Sequence, residues 1–128
     1  MVITKKVAIG VDVGGTNTAI GVVDPEGNVM IKDNIPTATH GDFEKFIEDL
    51  ATAIKAQVAS ARLLNENLEV LGIGIGAPNG NYYNGTIEYA PNLSFKGVLH
   101  FVKLMRFHFP ELPALALTND ANAAAIGE

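Results

Sequence analysis

The sequence predicts an α/β fold: a mixed five-stranded sheet with helices on both faces. Three short apolar runs, rich in β-branched residues, follow one another near the amino terminus with only turn residues between them. A long amphipathic segment and a shorter one then alternate with two further apolar runs. Strands joined by tight turns pair antiparallel, whereas strands that return through a helix pair parallel. The predicted order is therefore β-β-β-α-β-α-β-α.

The first half of this order is an antiparallel meander. Its strands are predicted at Val7–Val13, Thr18–Asp24 and Val29–Ile35. Gly14-Gly15 and Pro25–Asn28 are the turns that separate them. Because both connections are short, each strand is expected to pair with the next one.

The second half alternates helices with strands. A period of 3.6 residues in the apolar positions predicts a helix from Asp42, its N-cap, to about Asn65. A second helix is predicted over 97–109, and a third opens at Asp120. Strands are predicted at 68–75 and 114–118; the latter is apolar on both faces, which favours a central position in the sheet. Between Gly76 and Leu93 lies a loop region, with a small hairpin possible at Asn84-Gly85.

Composition restricts the classes of function. The chain has 128 residues, the size of one domain, and 48% of them are hydrophobic, which argues against disorder. A net charge of -5 argues against binding to nucleic acid. The chain has no cysteine, so disulfides and thiolate zinc sites are excluded within it. No signal peptide or apolar span of membrane length is visible, and a cytoplasmic protein is expected.

The glycine turn after the first strand is a candidate phosphate site. Gly14 and Gly15 allow successive backbone N–H groups to point at one anion, and the Thr16 hydroxyl can add a donor. Asp12 ends a strand predicted to be buried, where an unpaired carboxylate is costly and a bound Mg²⁺ would relieve that cost. The turn joins two strands, so it is neither a Walker A loop nor a Rossmann turn. An ordinary Gly-Gly hairpin fits the spacing about as well.

A second candidate lies where the last predicted strand meets the third helix. Thr118, Asn119 and Asp120 stand at the carboxyl end of that strand, where ligands of open α/β sheets bind. Asp120 could accept the proton of a substrate hydroxyl, and the Asn119 amide could hydrogen-bond its neighbours. Taken alone, the motif is explained better by helix N-capping, because all three residues are good N-caps and one of them must cap the helix in any case.

The Gly/Asn/Pro-rich loops hold further candidates. Asn79 and Asn92 could hydrogen-bond sugar hydroxyls, although turn formation also favours asparagine there. Three tyrosines in the same region could rim a site: Tyr82, Tyr83 and Tyr89. Four phenylalanines are expected in the core: Phe95, Phe101, Phe107 and Phe109. The three histidines lack metal-ligand spacing.

Four motifs together resemble the ROK family of repressors, uncharacterised reading frames and sugar kinases, and within it the glucokinases. In chain order they are Asp12-x-Gly14-Gly15-Thr16, Gly74-x-Gly76-x-Pro78, Ala90-Pro91-Asn92-Leu93 and Thr118-Asn119-Asp120-Ala121-Asn122. The resemblance covers nearly the whole chain. One departure is Asn79, where the family often has glycine; asparagine also tolerates positive φ.

The resemblance implies a ribonuclease-H-like fold, as in actin-like ATPases, and ATP-dependent phosphorylation of a hexose, foremost glucose. The residues implied to contact ATP and its Mg²⁺ are Asp12, Gly14, Gly15, Thr16 and Asn17. Of these, Asp12 would be the metal ligand. The residues implied to bind sugar are Gly76, Ala77, Pro78, Asn79, Asn92, Asn119 and Asp120, with Asp120 as catalytic base.

The resemblance further implies that residues 1–128 are the first domain of a two-domain, homodimeric kinase whose second domain holds adenosine. The chain alone is then expected to be inactive. A sugar-responsive repressor is the alternative, but the first strand begins too early for a preceding helix-turn-helix. Kinases for N-acetylmannosamine, fructose or allose share the motifs, and a non-sugar relative such as acetate kinase is disfavoured by the Asn119-Asp120 pair.

Overall fold

The computed structural model describes residues 4–39 and 41–119. Its elements in chain order are β1 (Lys5–Val13), β2 (Asn17–Val23), β3 (Val29–Pro36), α1 (Phe43–Leu64), β4 (Leu68–Ala77), β5 (Gly80–Asn81), β6 (Thr86–Glu88), β7 (Val98–Leu99), α2 (Phe101–His108) and β8 (Ala114–Asn119). Within these residues no helix is long and apolar enough to cross a membrane.

Within the described part of the chain, the main sheet has five strands in the order β3-β2-β1-β4-β8. β1, β2 and β3 form the predicted antiparallel meander. β4 runs parallel to β1, and β8 runs parallel to β4, as expected for strands that return through helices. The predicted mixed sheet is confirmed.

One placement in the sheet was wrong. The strand predicted at 114–118 was expected to be central, but among the described residues β8 (Ala114–Asn119) lies at an edge of the sheet, next to β4. Ala114 and Ala116 are exposed on it. Alanine is apolar but is tolerated on the surface. An alanine-rich strand therefore reads in sequence as apolar on both faces even when one face is exposed to solvent.

Helix α1 has the predicted length and cap. The Asp42 carboxylate accepts a hydrogen bond from the backbone N–H of Glu44 at 3.0 Å. At the other end, the backbone N–H of Asn65 donates to the carbonyl of Ala61 at 3.0 Å. Its buried residues form a stripe on one side of the helix, which is the predicted period of 3.6.

The core lies between one face of the sheet and the two described helices. In β1 the buried residues alternate with exposed ones; the buried ones are Val7, Ile9, Val11 and Val13. The helices meet through aromatic contacts, and the rings of Phe46 and Phe101 lie 6.5 Å apart. The third predicted helix lies outside the described residues, so helices on the second face of the sheet remain a prediction.

Two details around α2 differ from expectation. The helix begins at Phe101 rather than Gly97, because Val98–Leu99 pairs with β6 as a strand and Gly97 has a φ of 80°. Phe107, expected in the core, is 75% exposed. The inward face of this short helix carries Phe101 and Met105, and position 107 turns away from it.

The described residues also form a second, three-stranded sheet: β5 and β6 lie in the region predicted to be a loop, and β7 lies where the second helix was predicted to begin. The order of this sheet is β5-β6-β7. The hairpin expected at Asn84-Gly85 is present, with Gly85 at a φ of 68°. Strands of two or three residues are too short to give a periodic signal in sequence.

Candidate active site

The carboxyl ends of β1, β4 and β8 lie side by side and bring three separate motifs together. Asp12 is in register with Gly76, and Gly76 is in register with Thr118. One residue further along, Ala77 stands beside Asn119. In open α/β sheets this edge is where ligands bind.

The glycine turn between β1 and β2 is tightly closed. The backbone N–H of Gly14 donates to the carbonyl of Asn17 at 3.0 Å. A Cβ at Gly14 would stand 2.7 Å from that carbonyl oxygen, which is too close for any other residue. The turn therefore needs glycine for space, as a close backbone cradle does.

The same turn touches the loop that carries Asn92. A Cβ at Gly15 would stand 2.5 Å from the backbone carbonyl oxygen of Asn92. The candidate phosphate turn and the candidate sugar loop are thus packed backbone to backbone, although many residues separate them in sequence. Sequence reasoning placed both residues at a site but gave no sign of their direct contact.

The far side of the turn is anchored by residues that follow β3. The carbonyl of Thr16 accepts hydrogen bonds from the backbone N–H groups of Thr37 and Ala38, at 2.8 and 3.2 Å. Beneath it, the hydroxyls of Thr18 and Thr37 form a buried hydrogen bond of 2.6 Å. The Thr16 and Asn17 side chains are exposed. Thr37 had no role in the sequence prediction, because a lone threonine after a strand carries no signal.

Asp12 differs from expectation in its surroundings. Its side chain is exposed, so the predicted penalty of a buried carboxylate is absent, and so is that argument for a metal. Among the described residues, no three His, Cys, Asp or Glu side chains are grouped as metal ligands. Mg²⁺ in phosphoryl-transfer sites needs only one or two carboxylates, with phosphate oxygens and waters completing its shell. The exposed carboxylate of Asp12, beside the glycine turn, fits that requirement.

The residues predicted to bind sugar fall into two groups. Gly76 and Ala77 are buried in β4, whereas Pro78 is half-buried. Asn79 and Asn92 are exposed, and Asn79 has a φ of 54°, the conformation that glycine would otherwise supply. Positive φ at this position is thus retained despite the departure from the family pattern.

Glu88 organises the hairpin next to these residues, and sequence reasoning missed it. Its Oε2 accepts hydrogen bonds from the hydroxyl of Thr86 at 2.6 Å and from the side-chain amide of Asn81 at 2.9 Å. The Thr86 hydroxyl, with help from the amides of Asn84 and Asn81, holds the pKa of the Glu88 carboxyl below its ordinary value. A glutamate in a short hairpin has no sequence signature of this kind.

The remaining predicted residues lie at the margin of the site or beyond the described part. Asn119 is the last residue of β8. Asp120, the predicted base, lies outside the described residues. Tyr82, Tyr83 and Tyr89 are all exposed, as expected for loop residues, and the first two rings contact each other edge to face.

Comparison with known proteins identifies the family. The profile of the ROK family matches residues 8–128. This chain belongs to the ROK family. A glucokinase of Streptomyces coelicolor is 38% identical over 122 residues, which are 94% of this chain and 34% of that protein. The ROK chain therefore spans about a third of the length of the curated relatives it matches.

Solved structures of ROK proteins share the fold. A ROK family glucokinase from Streptomyces griseus, in complex with glucose and AMPPNP, matches with a TM-score of 0.67 and 34% identity, covering 93% of this chain and 35% of the other. A ROK family transcriptional regulator matches with a TM-score of 0.76 over 95% of this chain and 30% of its own, at 20% identity. The second likeness shows the fold alone. Together with the sheet order, these matches establish the actin-like ATPase fold that the family resemblance implies.

Proposed function

We propose that the complete protein transfers the γ-phosphoryl group of ATP to a hexose, with O6 of glucose as the acceptor. The observation that carries this proposal is the close contact between Gly15 and the backbone of Asn92. A Cβ added at Gly15 would lie 2.5 Å from the Asn92 carbonyl oxygen. This contact brings the glycine turn, our candidate for phosphate binding, against the loop in which Asn92 is exposed. Phosphoryl transfer requires this juxtaposition of donor and acceptor, because its catalysis depends chiefly on positioning and charge stabilisation.

The glycine turn would hold the phosphates. The backbone N–H of Gly15 and the exposed side chains of Thr16 and Asn17 supply donors to anionic oxygens. Glycine is required at position 14 of this closed turn because no Cβ fits there. Asp12 would hold Mg²⁺, whose chemistry is to neutralise charge on the phosphate oxygens.

The neighbouring side chains would hold the sugar. Asn92 is exposed beside the turn, and Asn119 ends the adjacent strand. Asp120 follows directly in sequence and would take the proton from the attacking hydroxyl. The loop from Gly76 to Asn79 would line the pocket largely through its backbone, because Gly76 and Ala77 are buried.

The proposal extends to the whole molecule. The relatives are about three times longer, which supports a second domain that would hold adenosine and close over the site. The 128-residue chain alone would then bind ATP and hexose weakly and turn over neither. A homodimeric state, implied by the family resemblance, and a cytoplasmic location, expected from the sequence, belong to the same proposal.

A coupled assay of the complete protein tests this function. ATP consumption would be followed with glucose, N-acetylmannosamine, fructose, mannose and allose, each against a blank without sugar. Glucose should give the highest kcat/KM, with formation of glucose 6-phosphate. Faster turnover of another hexose would reassign the substrate, and ATP consumption no higher than the blank with every sugar would contradict the kinase.

A sugar-responsive regulator is the second candidate, favoured by the shared fold of the ROK transcriptional regulator. The net charge of -5 in this chain gives no support to DNA contact here. DNA binding by the complete protein, released by a hexose and without ATP turnover, would favour the regulator.

A further inference from the structure

Asn79 makes an unusual set of contacts with a neighbouring segment. Its side-chain nitrogen donates to the backbone carbonyls of Glu88 at 3.0 Å and of Tyr89 at 3.1 Å. Its own carbonyl accepts from the backbone N–H of Glu88 at 3.1 Å. An amide nitrogen carries two hydrogens, so both are in use and only Oδ1 remains for a ligand.

The segment held by Asn79 contains a strained residue. Tyr89 has a φ of 53°, which lies in the left-handed region. Glycine and asparagine adopt this region readily, whereas it is uncommon for a bulky residue such as tyrosine. Its side chain is 71% exposed, so packing of the ring does not hold the backbone there. Hydrogen bonds do: the backbone N–H of Tyr89 donates to the carbonyl of Gly97 at 3.0 Å, and its own carbonyl accepts from Asn79. Strain of this kind persists only where the surroundings determine the conformation.

The strained residue leads directly into the loop that meets the phosphate turn. Beyond Tyr89 the chain anchors Ala90 and Leu93 in the core, and the backbone N–H of Leu93 donates to the carbonyl of Ala90 at 3.3 Å. Between these anchors, the carbonyl of Asn92 faces Gly15. The conformation at Tyr89 therefore sets the direction from which Asn92 approaches the turn.

We propose that Asn79 is a positioning residue, which fixes the Glu88-Tyr89 backbone and thereby places Asn92 against the phosphate turn. This inference rests on the proposed hexose kinase for its kinetic consequence. Asn79 affects hexose binding through Asn92, and its nitrogen makes no hydrogen bond to the sugar. The glycine that the family pattern prefers at this position would retain the φ of 54° but would lack the clamp.

The first test measures the clamp without any activity. Hydrogen–deuterium exchange of the ligand-free complete protein would be compared between the wild type and Asn79→Gly, in peptides that cover residues 86–95. Loss of two hydrogen bonds should speed exchange at the Glu88, Tyr89 and Leu93 amides by about tenfold. Asn28→Gly is the matched control, because Asn28 is another exposed turn residue with a side-chain amide bond, to Asp24. Equal exchange in the wild type and Asn79→Gly would overturn the clamp.

The second test is a double-mutant cycle on the hexose. Asn79→Gly should raise the KM for glucose by about tenfold with a smaller effect on kcat and on the KM for ATP. Asn79→Asp keeps the shape of the side chain but loses its two N–H donors, so it should raise the KM for glucose to a similar extent as Asn79→Gly. Combined with Asn92→Ala, Asn79→Gly should add little further loss, because both act through one contact. If the fold-increases in the KM for glucose of the two single variants multiply in the double variant, Asn79 acts independently of Asn92, which would contradict the proposal.

The two tests separate the possible failures. If the complete protein phosphorylates no hexose, the proposed function fails, while the exchange data still decide whether Asn79 clamps the 86–95 region. If glucose is phosphorylated but exchange is unchanged in Asn79→Gly, the proposed function stands and the positioning role is wrong.

Discussion

Gly15→Ala perturbs the contact on which the proposed function depends. The added Cβ would stand 2.5 Å from the Asn92 carbonyl oxygen, whereas an ordinary contact begins at 3.4 Å. The turn and the loop must therefore separate by about 0.9 Å, and both partners are backbone, so no side chain can swing aside. Overpacking of this kind costs about 1–3 kcal/mol. If this free energy is lost from stabilisation of the transition state, kcat/KM falls by about 5- to 140-fold.

The assay is steady-state kinetics of the complete protein with each substrate varied in turn, together with urea unfolding to measure stability. Gly41→Ala is the control, because a Cβ there meets nothing within 4 Å and the residue is in a loop. It should be neutral or stabilising by at most about 1 kcal/mol. Gly15→Ala with wild-type kinetics and wild-type stability would refute the close packing of turn and loop.

Three further predictions concern the turn, the hairpin and the core. Thr16→Ala should lower kcat/KM for ATP by about tenfold while changing the KM for glucose far less; equal effects on both substrates would argue against a phosphate contact. Because the folded-state pKa of Glu88 lies below its ordinary value of 4.5, its stabilising effect is present above that pH and is lost as the pH falls through the folded pKa. The difference in unfolding free energy between the wild type and Glu88→Gln should therefore shrink between pH 7 and about pH 3 in urea titrations, and a constant difference would contradict it. Phe46→Ala, at a fully buried ring between α1 and α2, should destabilise the protein by about 3–5 kcal/mol, and a loss under about 1 kcal/mol in the same titrations would show that the core repacks.

The sequence predicted the parts of the fold that repeat a pattern. The 3.6 period and the Asp42 cap located α1, and the short turns located the meander. It failed where the signal was short or ambiguous. The strands β5 to β7 have only two or three residues each, and the alanines of β8 are apolar whether covered or not.

For the candidate site, the sequence proposed residues but not the contacts between them. Parallel pairing explains why Asp12 and Gly76 lie at the same edge of the sheet, because each stands near the carboxyl end of its strand and the two strands run in the same direction. The approach of Asn92 to Gly15 depends on how a loop folds back across the sheet, which no local pattern encodes. The predicted burial of Asp12 was wrong because side chains alternate along β1, so the burial of Val11 and Val13 leaves Asp12 on the opposite, exposed face.

The central claim is that the carboxyl edge of β1, β4 and β8 transfers phosphoryl groups to a hexose. It is tested most directly by the rate of γ-phosphoryl transfer to glucose in the complete protein, compared between the wild type and Asp120→Asn, with glucose binding measured by calorimetry. A lost catalytic base should lower kcat by about 100-fold or more while the Kd for glucose stays within about threefold. Wild-type turnover in Asp120→Asn would contradict the account.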